Sequence, residues 1–143
     1  MNKKSLIVLV LLLAAFSVWA HTPMLSIEDN YDGSISVEGA FSNGASMSGM
    51  PVLIVDAAKY KGSEKTYDGQ KVLFETVFDD LGQVDLLKPD VEKYFVIFDG
   101  GPGHTVSMAG PALADDERDS WNDLLQSMSD ELGKWKDYLT GKK

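Results

Sequence analysis

Two histidines are the only imidazole side chains in the 143-residue sequence, and His21 directly follows a segment that is typical of cleaved leaders. Cleavage between Ala20 and His21 would make this histidine the first residue of the mature protein. A free α-amine and an imidazole both lose their protons near neutral pH and then offer nitrogen lone pairs. Carried by one residue, the two groups can close a chelate ring on a metal ion.

The first twenty residues have the parts of a secretory signal peptide. Two lysines precede an unbroken apolar run of eleven residues, 6–16, and small residues occupy the positions before the expected cut. The run is shorter than the roughly 20 apolar residues of a membrane span. We therefore expect residues 1–20 to be removed and the mature protein to be periplasmic or secreted, with an uncleaved anchor or cleavage after Ala15 as the alternatives.

His104 is the other histidine and ends the glycine-rich segment GGPGH. Its imidazole, added to the two nitrogens of His21, would complete a three-nitrogen set known as a histidine brace. Nitrogen donors in a tetragonal plane suit Cu(II) or Ni(II), and the Irving–Williams order favours copper. Taken alone, a histidine in such a loop is more often a hydrogen-bonded turn residue than a metal ligand.

Weaker candidate ligands lie close to the two histidines in the sequence. Asp99 precedes the glycine-rich turn, where its carboxylate could bind the metal, orient His104 or cap the turn. Met24 and Met108 have thioether sulfurs, which bind Cu(I). Met47 and Met50 form a further pair in a loop rich in glycine and serine, although core filling is the commoner use of methionine.

Composition narrows the classes of function. Loss of the two leader lysines changes the formal net charge from −9 to −11. Such an acidic surface repels phosphate backbones and anionic lipid head groups, so nucleic-acid and membrane-surface partners are not expected. The absence of cysteine removes thiolate metal sites and thiol catalysis. A serine nucleophile would need a histidine as general base, and His104 is the only internal histidine. The sequence therefore favours a binding protein over an enzyme.

Apolar residues alternate with polar ones on both sides of the turn cluster DNYDG, which predicts a β-hairpin. Five further apolar segments predict strands, and the first of them is continuous enough to be buried on both faces: 51–56, 71–78, 84–89, 93–99 and 104–108. Seven short strands separated by turn signals are typical of an antiparallel β-sandwich of the prealbumin or immunoglobulin type. We expect this domain to occupy residues 21–110.

The remaining residues, 111–143, carry a different pattern. Large apolar side chains recur at gaps of three and four: Trp121, Leu125, Met128, Leu132, Trp135 and Leu139. This spacing predicts one amphipathic helix, within which Gly133 would cost about 1 kcal/mol relative to alanine. The apolar face could pack on the sandwich, mediate self-association or bind a partner.

Several motifs resemble those of a known family. The pattern H-x-P, D-N-x-D-G, E-G-x-F-S-N-G and F-D-x-G-P-G-H is similar to small exported bacterial proteins that are related to the periplasmic part of nickel and cobalt uptake systems. The resemblance covers about residues 21–110 and implies a transthyretin-like or carboxypeptidase-regulatory-like fold. It also implies that His21 and His104, with Asp99 as a weaker third residue, are the functional positions.

The leading hypothesis is thus a periplasmic, non-catalytic binder or carrier of Cu or Ni, delivering the ion to a membrane transporter. His21 would supply two nitrogens and His104 one. The alternative is a metal-free interaction module of an envelope complex that docks through the C-terminal helix.

Overall fold

A computed structural model describes residues 21–142, so the expected leader and Lys143 lie outside the described residues. The described chain is mainly β. Its eight strands are β1 (Pro23–Asp29), β2 (Ser34–Phe41), β3 (Pro51–Lys59), β4 (Thr66–Tyr67), β5 (Gln70–Val77), β6 (Gln83–Leu87), β7 (Tyr94–Asp99) and β8 (Thr105–Ala109).

The strands form two antiparallel sheets, one of three strands in the order β1-β2-β6 and one of five in the order β4-β5-β3-β7-β8. The hairpin between β1 and β2 is the one that the alternating pattern predicts, with Asp29 opposite Ile35 at its closed end. Gly33 adopts a φ of 92° in this turn, a conformation that glycine tolerates best.

One hydrophobic core draws side chains from both sheets. Successive side chains of a strand point to opposite faces of its sheet, and those on one face contribute to this core. Its main aliphatic and aromatic members are Leu25, Ile35, Val37, Phe41, Val52, Ile54, Leu73, Val96 and Phe98.

Strand β3 is buried on both faces, as its continuous apolar run predicts. Val52 and Ile54 point into the core that the two sheets share. Leu53 and Val55 belong to a second cluster on the other face of the five-stranded sheet, where Tyr67 and other partly buried rings pack against it. Tyr67 thus covers part of this outer face.

The short strand β4 is not among the seven predicted strands, because residues 57–70 are largely polar. Tyr67 pairs with Gln70 across a two-residue turn. That turn consists of Asp68 and Gly69, both with positive φ. Asp-Gly is a strong hairpin signal, but the segment before it lacks the apolar alternation that predicts a strand.

The C-terminal segment is helical, as predicted, but its helical residues form short pieces rather than one helix over 111–143. A 3-10 turn, Asp115–Glu117, leads into three short helices: α1 (Arg118–Ser127), α2 (Ser129–Leu132) and α3 (Trp135–Leu139). The chain leaves helical geometry at Gly133, where φ is 51° and ψ is −126°. Within the described part of the chain, no helix is long and apolar enough to cross a membrane.

The apolar stripe of this C-terminal segment packs on the protein's own sheets. Trp121, Leu125, Leu132 and Leu139 are buried in one cluster with Leu87 at the end of β6. These side chains are therefore buried within the described part of the chain.

Candidate metal-binding site

The two imidazoles lie together at one end of the sheets. The ring centroids of His21 and His104 are 6.4 Å apart, and the ring planes are inclined by 70°. The topology explains this proximity, because each histidine lies just before a strand at the same end of the fold. His21 precedes β1, and His104 immediately precedes β8.

Backbone contacts hold the segment that carries His21. The Thr22 N–H donates to Ser42 Oγ at 3.1 Å, and the Ser42 N–H donates to the Thr22 carbonyl oxygen at 2.9 Å. Ser42 directly follows the last residue of β2. The chain next to His21 is thus fastened to the end of β2 rather than left without contacts.

A tight loop positions His104. The Gly100 N–H donates to the His104 carbonyl at 3.0 Å, and the His104 N–H donates to the Gly101 carbonyl at 2.9 Å. Gly101 and Gly103 have φ values of 97° and 78°, which favour glycine. The glycines of the GGPGH segment therefore make the sharp return that brings the imidazole back over the end of the sheets.

Asp99 caps this loop. Its Oδ1 accepts hydrogen bonds from the Gly101 N–H at 2.9 Å and from Thr105 Oγ1 at 3.3 Å. The phenol of Tyr67 interacts with both Thr105 and Asp99. Burial raises the pKa of this phenol. A hydrogen bond with Thr105 lowers the pKa, and the charge of Asp99 raises it further. These contacts favour the turn-capping role of Asp99, through which it positions His104.

A hydrogen bond orients the His104 ring. Nδ1 lies 3.2 Å from the Pro102 carbonyl oxygen, which can only accept, so this contact requires a proton on Nδ1. In the neutral ring that carries this proton, Nε2 has the free lone pair. Metal-binding histidines are commonly fixed in this way, with one ring nitrogen donating to a carbonyl and the other facing the metal.

Phe41 lies against both imidazoles. Its ring centroid is 6.5 Å from that of His21 and 6.1 Å from that of His104, with interplanar angles of 82° and 80°. Phe98 supports it from the core at 5.8 Å. Phe41 was not predicted to be part of the site. Its only signals were its place in the alternating pattern of β2 and in the E-G-x-F-S motif.

The methionines divide into two groups. Met47 is buried in the shared core and Met50 packs against it, so both fill the interior. Met24 and Met108 are 50% and 39% exposed, on β1 and β8. At about 3.3 Å per strand residue, the backbones of these two lie on the order of 10 Å or more beyond the histidines. They line the strands that lead away from the two rings.

Within residues 21–142, no three histidine or carboxylate side chains converge as a metal site. A histidine brace does not need three such side chains, because its third donor is a backbone nitrogen. In the uncleaved chain that nitrogen of His21 is an amide. Cleavage after Ala20 would convert it into an amine with a lone pair, beside an imidazole that the fold already places near His104.

No protein-family model matches the chain, and neither the curated proteins nor the solved structures contain a significant match. The class of protein is therefore defined by the structure alone. It is a mainly β chain of two antiparallel sheets with a pair of imidazoles at one end.

Proposed function

We propose that the mature protein is an exported, non-catalytic binder of a divalent transition metal ion, Cu or Ni, and that it carries the ion to a membrane transporter. The amine and imidazole of His21 and the Nε2 of His104 would be the donors. The separation of 6.4 Å between the two ring centroids is the observation that carries the proposal.

This separation fits two imidazoles on opposite sides of one ion. A metal–nitrogen bond of about 2.0 Å and a ring radius of about 1.2 Å put each ring centre about 3.2 Å from the metal. Opposed rings would then have centres about 6.4 Å apart. The His21 amine, tethered to its own imidazole, would occupy a position between the two rings and complete a T-shaped set of three nitrogens.

The fold and the charge support the same function. We propose that the two sheets form a sandwich in which β1, β2 and β6 face β3, β7 and β8, the division seen between strands A, B, E and C, F, G in immunoglobulin-type domains. In such sandwiches the loops at one end commonly carry the binding site. The expected mature net charge of −11 raises the local concentration of cations.

The test is a metal titration of protein exported from a bacterial host and shown by N-terminal sequencing to begin at His21. Cu(II) should bind with one-to-one stoichiometry, and His21→Ala and His104→Ala should each weaken binding by more than about tenfold. Met24→Leu is the matched control, because it changes an exposed residue on the adjoining strand. Equal affinities for wild type and His21→Ala would refute the proposal.

A further inference from the structure

We infer that Tyr67 is a positioning residue for the proposed metal site, because its hydroxyl group holds the loop that carries His104. The inference rests on the proposed function, since it concerns how firmly one of the same three donors is presented to the ion. It gives a role to the hairpin of β4 and β5, although β4 is not among the predicted strands. Tyr67 acts through Asp99 and the loop and is not itself a ligand.

Tyr67 reaches this loop from the opposite edge of the five-stranded sheet. Strand β4 forms one edge of the sheet, and β8, which follows His104, forms the other. The Tyr67 ring nevertheless packs against the outer-face cluster that includes Leu53 and Ile97, and it lines one open cleft together with Thr105. The hairpin therefore bends over the outer face and brings the phenol to the first residue of β8.

Asp99 connects this phenol to both limbs of the loop. The phenol hydrogen-bonds with Asp99 and with Thr105, and it is the donor toward Asp99, because an ionised carboxylate can only accept. Oδ1 of Asp99 also accepts from the Gly101 N–H at 2.9 Å and from Thr105 Oγ1 at 3.3 Å. The hairpin of β4 and β5 and both limbs of the His104 loop thus meet at one carboxylate.

The composition of the loop explains why it needs support from outside. Three of the four residues between Asp99 and His104 are glycine, and glycine loses more conformational freedom on ordering than any other residue. A loop that is ordered before the ion arrives does not lose that entropy on binding, so the affinity is higher. Tyr67 therefore raises the affinity by holding His104 in place rather than by adding a donor.

The first experiment measures the Cu(II) affinity of proteins that begin at His21, in competition with nitrilotriacetate. Tyr67→Phe removes the hydroxyl group but keeps the ring. It should weaken binding by about 3- to 10-fold, less than the roughly 10- to 100-fold that follows loss of a group bonded directly to a ligand. Tyr31→Phe is the matched control, because it makes the same change at a side chain that is 82% exposed in the turn between β1 and β2. Equal affinities for wild type and Tyr67→Phe would overturn the inference.

Repeating the substitution in His104→Ala distinguishes positioning of the loop from a general loosening of the fold. His21 still offers two nitrogens in this background, so a residual Cu(II) affinity can be measured. The effect of Tyr67→Phe should disappear there, because two changes that act through the same donor are not additive. A loss of the same size as in the wild-type background would show that Tyr67 does not act through His104 and would overturn the inference.

Amide hydrogen exchange of the metal-free protein, followed by nuclear magnetic resonance, separates this inference from the proposed function. Tyr67→Phe should raise the exchange rate of the Gly101 N–H severalfold and leave that of Val37, in the core strand β2, unchanged. Unchanged exchange at Gly101 would overturn the inference even if the wild-type protein binds copper. A wild-type protein that binds no metal would refute the proposed function, and the role of Tyr67 in metal binding with it.

Discussion

Glu117 binds the ammonium group of Lys88 with both carboxylate oxygens, at 2.6 and 2.8 Å, and both side chains are buried. Asp29 provides a second carboxylate at 2.7 Å from the same nitrogen. The three residues come from the end of β1, the residue after β6 and the turn before α1. This ion cluster fastens the C-terminal segment to the three-stranded sheet.

Replacing Lys88 by methionine should destabilise the protein by about 3–5 kcal/mol, because Glu117 would remain buried without a counter-charge. The measurement is the free energy of unfolding from urea denaturation. Lys65→Met is the matched control: its ion pair with Glu75 is largely exposed, with side-chain exposures of 52% and 34%. Such pairs contribute less than about 1 kcal/mol, so equal effects of the two substitutions would show that the buried cluster has no special role.

The same cluster predicts a dependence of stability on pH. Burial raises the pKa of Asp29, but hydrogen bonds from Lys88 and the Tyr31 N–H, with the charge of Lys88, outweigh it and leave the pKa below its usual value. Asp29 therefore stabilises the fold above the unfolded pKa of about 3.9, and this contribution is lost as the pH falls through the lower, folded value.

The corresponding experiment compares the unfolding free energies of wild type and Asp29→Asn from pH 8 down to pH 3. Wild type should be the more stable of the two by a constant margin at neutral pH, and the margin should shrink below about pH 4. A margin that stays constant down to the lowest pH would contradict the interpretation of Asp29 as a charged partner of Lys88.

The strands could be predicted because their side-chain patterns are local. The alternation of Ile35 and Val37, and the continuous run in β3, follow directly from one-sided and two-sided burial. The Lys88–Glu117 pair could not be predicted, since the sequence around Lys88 does not show that the lysine is buried or that a distant carboxylate pairs with it. Phe41 was missed as part of the site for the same reason: its contacts with the imidazoles come from three separate segments.

Gly133 shows how a local pattern can mislead. The spacing of apolar residues continues across it, so the sequence predicted an unfavourable glycine inside a helix. In the structure Gly133 instead ends α2 with a φ of 51° and a ψ of −126°. Residues other than glycine rarely adopt this conformation.

The two interpretations predict opposite signs for Gly133→Ala. In a continuous helix the substitution would stabilise the protein by about 1 kcal/mol. At the observed break it should instead destabilise it by about 1–3 kcal/mol, because alanine strains the backbone. Thermal or urea denaturation decides the sign, and a stabilised variant would mean that α2 and α3 join in solution.

The most direct test of the metal site uses the identity of its donors. All three proposed donor nitrogens belong to histidine. Labelling the protein with nitrogen-15 at histidine alone should therefore replace every nitrogen-14 coupling of a directly bound donor to Cu(II) by a nitrogen-15 coupling. Electron paramagnetic resonance and electron–nuclear double resonance measure this pattern. We predict three nitrogen-15 couplings in protein that begins at His21, and two in His104→Ala. A pattern that retains nitrogen-14 couplings from directly bound donors, or that His104→Ala leaves unchanged, would show that His21 and His104 do not supply the three donors.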